Sequence, residues 1–207
     1  MKRTFNILLA AACLMVGGCV SGEHQLKLTP DYYAEHSVAV GAKLFRPGIL
    51  YTTAAEDDYI YHGPAQSYLG RKATFHVSLG KITRAVAVKV LSAKFKKGVT
   101  AVNSLTGVSR QSLILHPRVI AYQHMMRWGF SGLNVTPQID LILKMELLAP
   151  DHTVLYAKKY RSGVRTGEAF LSGEKAPAAV NKLTHETIFT LVQRFALDLE
   201  KILEEIH

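Results

Sequence analysis

Cysteine is all but missing from this sequence. Of 207 residues only Cys13 and Cys19 carry a thiol, and both lie within the first nineteen positions. The rest of the chain therefore has no disulfide to staple it and no thiolate for a zinc site, so its core must hold by packing. Long apolar runs are scarce as well. One covers residues 7–16, about half of the ~20 positions that a membrane-spanning helix requires. No second run follows, and no repeat with a period of ~20–50 residues is present. The catalytic motifs are missing too: there is no H-E-x-x-H, C-x-x-C, G-x-S-x-G or G-x-x-x-x-G-K. Gly129, Phe130, Ser131 and Gly132 lack the spacing of a nucleophile elbow, and Ser172, Gly173, Glu174 and Lys175 do not make a phosphate loop. The nine histidines are scattered. His24, His36 and His207 fall in outlying segments, and His116 and His124 stand eight apart without a cysteine or paired acid. The sequence therefore offers no metal site, no cofactor and no catalytic residue, and the chain is read as non-enzymatic.

What is present begins at residue 1. Lys2 and Arg3 precede the apolar run, and Gly17 and Gly18 follow it. A positive start, a short apolar stretch and small residues form a secretory signal. The end of that segment, Val16-Gly17-Gly18-Cys19, resembles the lipobox of bacterial lipoproteins: aliphatic, small, small, cysteine. The resemblance implies cleavage between Gly18 and Cys19, with a diacylglycerol on the Cys19 sulfur and an acyl chain on its new amino group. Anchoring by more than one chain is stable, whereas a single myristoyl group binds only marginally. Val20 follows Cys19. The sorting rule that comes with the resemblance reserves aspartate there for the inner membrane, so Val20 implies the periplasmic face of the outer membrane. An ordinary cleaved signal with an incidental Cys19 is the other reading of the same residues.

Acidic residues are the minority charge, 16 against 25 basic. Loss of Lys2 and Arg3 with the signal lowers the formal charge from +9 by two and leaves the mature chain basic. A basic surface favours anionic partners, which in the periplasm are lipid phosphates or acidic peptidoglycan; nucleic acid is not expected. With 48% hydrophobic and 20% charged residues, the composition is that of a folded domain.

Residues 20–36 are polar and without period, and are read as a tether. Residues 37–45 alternate as a strand, with residues 49–52 returning beside them. Residues 59–62 form a short strand among a crowd of tyrosines, Tyr51, Tyr59, Tyr61 and Tyr68. Residues 73–79 alternate again up to Gly80, and from Lys81 the period becomes helical. Ile82, Val86, Val90 and Leu91 face inward, Lys81, Arg84, Lys89 and Lys94 face solvent, and Lys96-Lys97-Gly98 closes the helix. Residues 100–110 are turn-rich. Residues 112–116 and 118–128 read as strands separated by Pro117, the second apolar on both faces. The clearest strand is 136–148, with Ile139, Leu141, Leu143, Met145 and Leu147 on one side. A turn at 149–152 leads to a returning strand at 154–161, and residues 163–177 form a long loop in which Glu168 and Glu174 stand ready to pair with Arg165 or Lys175. From 178 to 206 apolar residues recur every three or four positions, which predicts a long amphipathic helix that must cover a sheet.

The expected fold is α+β: an antiparallel or mixed sheet of about five or six strands, packed on one face by a short helix and a long C-terminal one. The expected organisation is a signal over 1–18, a lipidated flexible tether over 19–36 and one periplasmic domain over 37–207. The pattern of residues 75–95, the hairpin at 136–160 and the closing helix resemble small envelope lipoproteins, including the lipopolysaccharide-assembly lipoprotein and the auxiliary lipoproteins of lipid-transport ABC systems. That resemblance implies a non-catalytic binding or scaffolding accessory of an envelope complex, with the outer membrane and an envelope protein as partners. Direct binding of an anionic lipid such as lipopolysaccharide is the alternative, and a hydrolase with an unrecognised site is a third. Met125, Met126, Trp128 and Phe130 are the candidate contact for a lipid chain or partner, since methionines and aromatics at a strand end make an adaptable apolar surface. Packing in the core is the competing role for the same residues.

Overall fold

The computed structural model describes residues 22–41, 43–68, 71–129, 134–171 and 175–206. Its strands are β1 (Gly22–Leu26), β2 (Gly48–Tyr51), β3 (Tyr61–His62), β4 (Gln66–Tyr68), β5 (Arg71–Val77), β6 (Val99–Val102), β7 (Leu113–Trp128), β8 (Val135–Leu148), β9 (Val154–Arg161) and β10 (Arg165–Thr166). Its helices are α1 (Asp31–Ala34), α2 (Ala54–Asp57), α3 (Leu79–Lys94) and α4 (Ala176–Ile206). The fold is mixed α+β, as the sequence pattern predicts, but the strands divide between two sheets. The larger runs β10-β8-β7-β2-β6 with β9 also on β8, and the smaller runs β1-β5-β3 with β4 also on β5.

β8 shows the expected alternation. Ile139, Leu141, Leu143, Met145 and Leu147 are all buried and point into the core that α4 covers. α4 supplies Val180, Leu183, Ile188, Leu191, Val192, Phe195 and Leu199 to the same core, and α3 packs beside it with Ile82, Val86, Val90 and Leu91. Along β8, its partner β7 is one unbroken strand rather than two. Pro117 fits inside it because β2 stops pairing at Leu115, so beyond that point no described strand pairs with β7 on that side.

β7 also explains its own two apolar faces. The register with β8 shifts between Val119 and Ala121, which leaves Ile120 as an extra residue. Before the bulge, Leu115, Pro117 and Val119 lie opposite the inward residues of β8. After it, Tyr122, His124 and Met126 do so, opposite Leu141, Ile139 and Pro137. The period of two is intact on each side and changes phase once.

Three expectations need correction. The tether expected over residues 19–36 is, in its described part, folded: β1 pairs in parallel with β5, Gly22 with Ala73 through Leu26 with Val77. Its residues look aperiodic because it is largely its backbone that is held, by side chains of α3 and α4. From β1 the chain runs as a strap along α3 and α4. Asn181 Nδ2 donates to Lys27 O at 3.0 Å, and the Thr29 N–H donates to His185 Nε2 at 3.0 Å. Lys89 Nζ reaches the carbonyls of Tyr33 and Ala34, and Gln193 Nε2 that of Ala39. The described residues of 37–45 accordingly form no strand; among them Leu44 alone bridges, to Phe95, and β2 pairs in parallel with β6 and β7 instead. Lys94, finally, is not a solvent-facing cation. It is 0% exposed, with Nζ 2.7 Å from Val40 O and 2.8 Å from Glu200 Oε1, and so fastens the strap, α3 and α4 together. Its place on the helical wheel is apolar, and only the carboxylate that α4 brings makes burial of the charge tolerable.

These contacts give the domain two ends. The strap follows α4 from Asn181 towards its C-terminal half, finishing beside Lys94 and Glu200, and the chain then enters β2. Gly22 therefore lies at the opposite end, where Phe170 pairs with Val135 and Val135 with Trp128.

Between the two sheets the ring of Phe75 lies 5.6 Å from that of His24 and 5.4 Å from that of His124, and Tyr61 and Tyr122 complete the layer. His124 is 5% exposed with neither ring nitrogen partnered among the described residues, and burial lowers its pKa to about 4. Between the ordinary value near ~6.5 and that value the unfolded chain binds a proton that the folded chain refuses, so stability falls as pH drops through this window. This depression corresponds to about 3 kcal/mol. Denaturant titrations from pH 7 to pH 4 should show this loss, and His124→Leu should flatten it.

Candidate functional site

The described residues concentrate charge at one place, on the outer face of the large sheet where α2 caps it. β2 delivers the chain to Thr53, which begins α2 with a reciprocal capping box: the Glu56 N–H donates to Thr53 Oγ1, and the Thr53 N–H donates to Glu56 Oε2 at 2.8 Å. Close backbone contact then docks α2 on α3. Gly80 donates its N–H to Tyr59 O, and a Cβ at Gly80 would collide with the carbonyl oxygens of Glu56 and Asp57. Arg84 of α3 holds the Asp57 carboxylate, which also accepts from Asn103 Nδ2 at 2.7 Å.

So placed, Glu56 meets the ribbon. His116 and Arg118 project from β7 on the face away from the long helices, opposite Glu146 and Lys144 of β8 in register. Glu56 Oε2 lies 3.0 Å from His116 Nε2, and Glu146 Oε2 lies 3.2 Å from His116 Nδ1. Glu146, only 3% exposed, also takes Arg118 at 3.2 Å and Lys144 at 2.6 Å. Burial pushes the pKa of Glu146 up, but the hydrogen bond from Lys144 and the charges of Arg118, Lys144 and His116 outweigh it and leave the pKa below the ordinary value. Glu56 follows the same logic: burial raises it, while the Thr53 backbone and His116 bring it down. Both carboxylates are thus ionised, and both ring nitrogens of His116 face one.

Beside this network a cavity of about 300 Å³ opens, lined by Ala55, Glu56, Tyr59, Thr83, Arg118 and Ile120 among others. Its floor is the stretch of β7 around the bulge, where no described strand pairs with β7 beyond Leu115 on the β2 side. Two polar atoms at its wall, Thr83 Oγ1 and Arg118 Nε, are buried without a hydrogen-bond partner among the described residues. The cavity therefore combines apolar walls, an open strand edge and unspent donors, which is the chemistry of a binding site.

The residues singled out from the sequence fall elsewhere. Gly18, Cys19 and Phe130 lie outside the described residues. Met125 is exposed on the outer face of β7, Met126 packs partly against the core, and Trp128 is exposed at the strand end. Glu168 faces Lys182 rather than Arg165 or Lys175, and Glu174 is not described. His116 is drawn into the charged network, whereas His124 is buried between the sheets. The network itself was hidden in the sequence because its members come from α2, β7 and β8. The available signals were the capping box Thr53-x-x-Glu56 and the polar alternation of Lys144 and Glu146. Among the described residues no group of three or more His, Cys, Asp and Glu side chains converges to hold a metal ion.

No protein-family model matches the chain, and no curated protein matches it. Among solved structures it is similar to a protein described as a neuraminyllactose-binding hemagglutinin homolog from Helicobacter pylori, at 10% identity and a TM-score of 0.48, over 84% of this chain and 97% of the other. It is also similar to a minor lipoprotein from Acinetobacter baumannii, at 9% identity and a TM-score of 0.38, over 76% of this chain and 94% of the other. At these values neither likeness bears on what the chain does.

Gly80→Ala should separate α2 from α3 and loosen the site, lowering the thermal midpoint and abolishing the His116–Glu56 contact as read by the imidazole resonances. Glu146→Gln removes the charge on which three basic side chains converge. Because Arg118 and Lys144 keep some solvent, the expected loss is about 2 kcal/mol by chemical denaturation, below the range for a wholly buried pair.

Proposed function

We propose that this protein is a lipid-anchored lipoprotein, facing the periplasm from the outer membrane, that serves an envelope complex as a non-catalytic binding accessory. The observation that carries the reading is the order of the first nineteen residues, two cations, a short apolar run, then Gly17-Gly18-Cys19. Among the described residues no helix is long and apolar enough to cross a membrane, so the anchor on Cys19 is what attaches the domain. The cavity at the β7 bulge gives the domain a place to bind. An extended segment of a partner would lie along the open edge of β7, with an apolar side chain in the cavity and its carbonyls offered to Arg118 Nε and Thr83 Oγ1.

Envelopes solubilised in mild detergent test both halves. Cys19→Ser should release the protein from the membrane fraction and abolish incorporation of labelled palmitate. Ile120→Glu should keep the protein on the membrane and lose a stoichiometric protein partner that the unsubstituted chain retains. Recovery of lipopolysaccharide without protein would favour the anionic-lipid reading, and turnover of an envelope substrate would favour a hydrolase.

A further inference from the structure

Three of the exposed large apolar side chains among the described residues, Met125, Trp128 and Leu171, lie at the end of the domain where β1 begins, Met125 and Trp128 on opposite faces of β7. Gly22 pairs with Ala73, Ala73 pairs with Gln66, and Gln66 Nε2 donates to His124 O at 2.7 Å. The next residue of β7 is Met125, 52% exposed, and three further on is Trp128, 41% exposed. Trp128 pairs with Val135, which bridges to Phe170, and Leu171 beside it is 68% exposed. Lys72 next to Ala73, Arg127 next to Trp128 and Lys175 four residues past Leu171 are exposed at the same end, and none of them is in an ion pair among the described residues. The carboxylates nearby are already faced by basic groups, Glu23 by His76 at 3.8 Å and Glu168 by Lys182 at 3.7 Å.

Chain length says what this end meets. Gly22 is three positions on from Cys19, a reach of about 10 Å at full extension. If Cys19 carries acyl chains, the start of β1 cannot stand farther than that from the headgroups. A tryptophan and a methionine beside unpaired cations is the composition of a membrane interface, where the indole sits at headgroup depth and Lys and Arg reach the phosphates. We propose that this end, carried by Met125, Trp128 and Leu171 with Lys72, Arg127 and Lys175, is seated in the anionic surface of the membrane to which Cys19 is anchored. The proposal rests on the lipid-anchor reading and adds an orientation to it. The domain stands upright with α4 rising from the bilayer, the Phe45 end is farthest from it, and the cavity at the β7 bulge opens above the headgroups.

Trp128 is the only tryptophan of the chain, so its emission reports this end alone. Full-length, lipid-modified protein is reconstituted in phosphatidylethanolamine–phosphatidylglycerol vesicles, with and without brominated acyl chains, and the vesicles are floated. The expected result is flotation, a blue shift of the emission, quenching by the brominated chains and loss of access to acrylamide. Met125→Glu combined with Leu171→Glu should still float but lose the quenching, with the circular dichroism of the domain unchanged. Emission that stays unshifted and open to acrylamide while the protein floats overturns the seating and leaves the anchor standing. Protein that does not float overturns the anchor, and the seating with it.

Discussion

One inserted residue sets the terms for most of the molecule. Ile120 adds a single position to β7 against β8, and side chains on either side of it exchange faces. Without the shift, a strand that placed Leu115 and Val119 inward would turn Tyr122 and His124 out to solvent and bury Gln123 and Met125. With it, the first half of the strand presents His116 and Arg118 to Glu146, while the second half presents Tyr122 and His124 to the small sheet. The cavity lies beside the same bulge, on the side where β2 has already ended. Architecture and charged network thus depend on the same local irregularity, and the binding space adjoins it.

The parts of the fold that could be read from the sequence are those where one face of an element meets a large apolar surface. β8 alternates because one side lies under α4, and α4 repeats every three or four residues because one side lies on the sheet. Their limits follow from the pattern within a residue or two: 136–148 expected against Val135–Leu148, and 178–206 against Ala176–Ile206. The strap resisted reading because it is held by its backbone carbonyls and amides rather than by a periodic set of side chains. Lys94 resisted for a related reason. A lysine at a position where the helix is buried looks like a break in the apolar face until the carboxylate of Glu200, more than a hundred residues on, is known to meet it.

The candidate site was the least legible part. Its carboxylates and cations are ordinary surface residues in sequence, and they become a network only because the capping box fixes Glu56 over the β7–β8 ribbon. Gly80 is a case in point. In sequence it marks the end of a strand, whereas in the fold its missing side chain is the space through which α2 reaches α3. The expected address at Cys19 lies at the other extreme, since a signal of that kind is read from a linear segment and needs no fold.

The parallel pairing of β1 with β5 has a mechanical consequence. The chain enters β1 at Gly22 and runs inward from that end, so tension applied through residue 21 acts along the strand axis. The hydrogen bonds from Gly22 to Leu26 would be loaded together, in shear, instead of opening one after another like a zip. Behind them, the grip of Asn181, His185, Lys89 and Lys94 on the strap takes up load that passes beyond β1. A chain with no disulfide in its folded part can in this way bear force applied ahead of β1 through geometry alone.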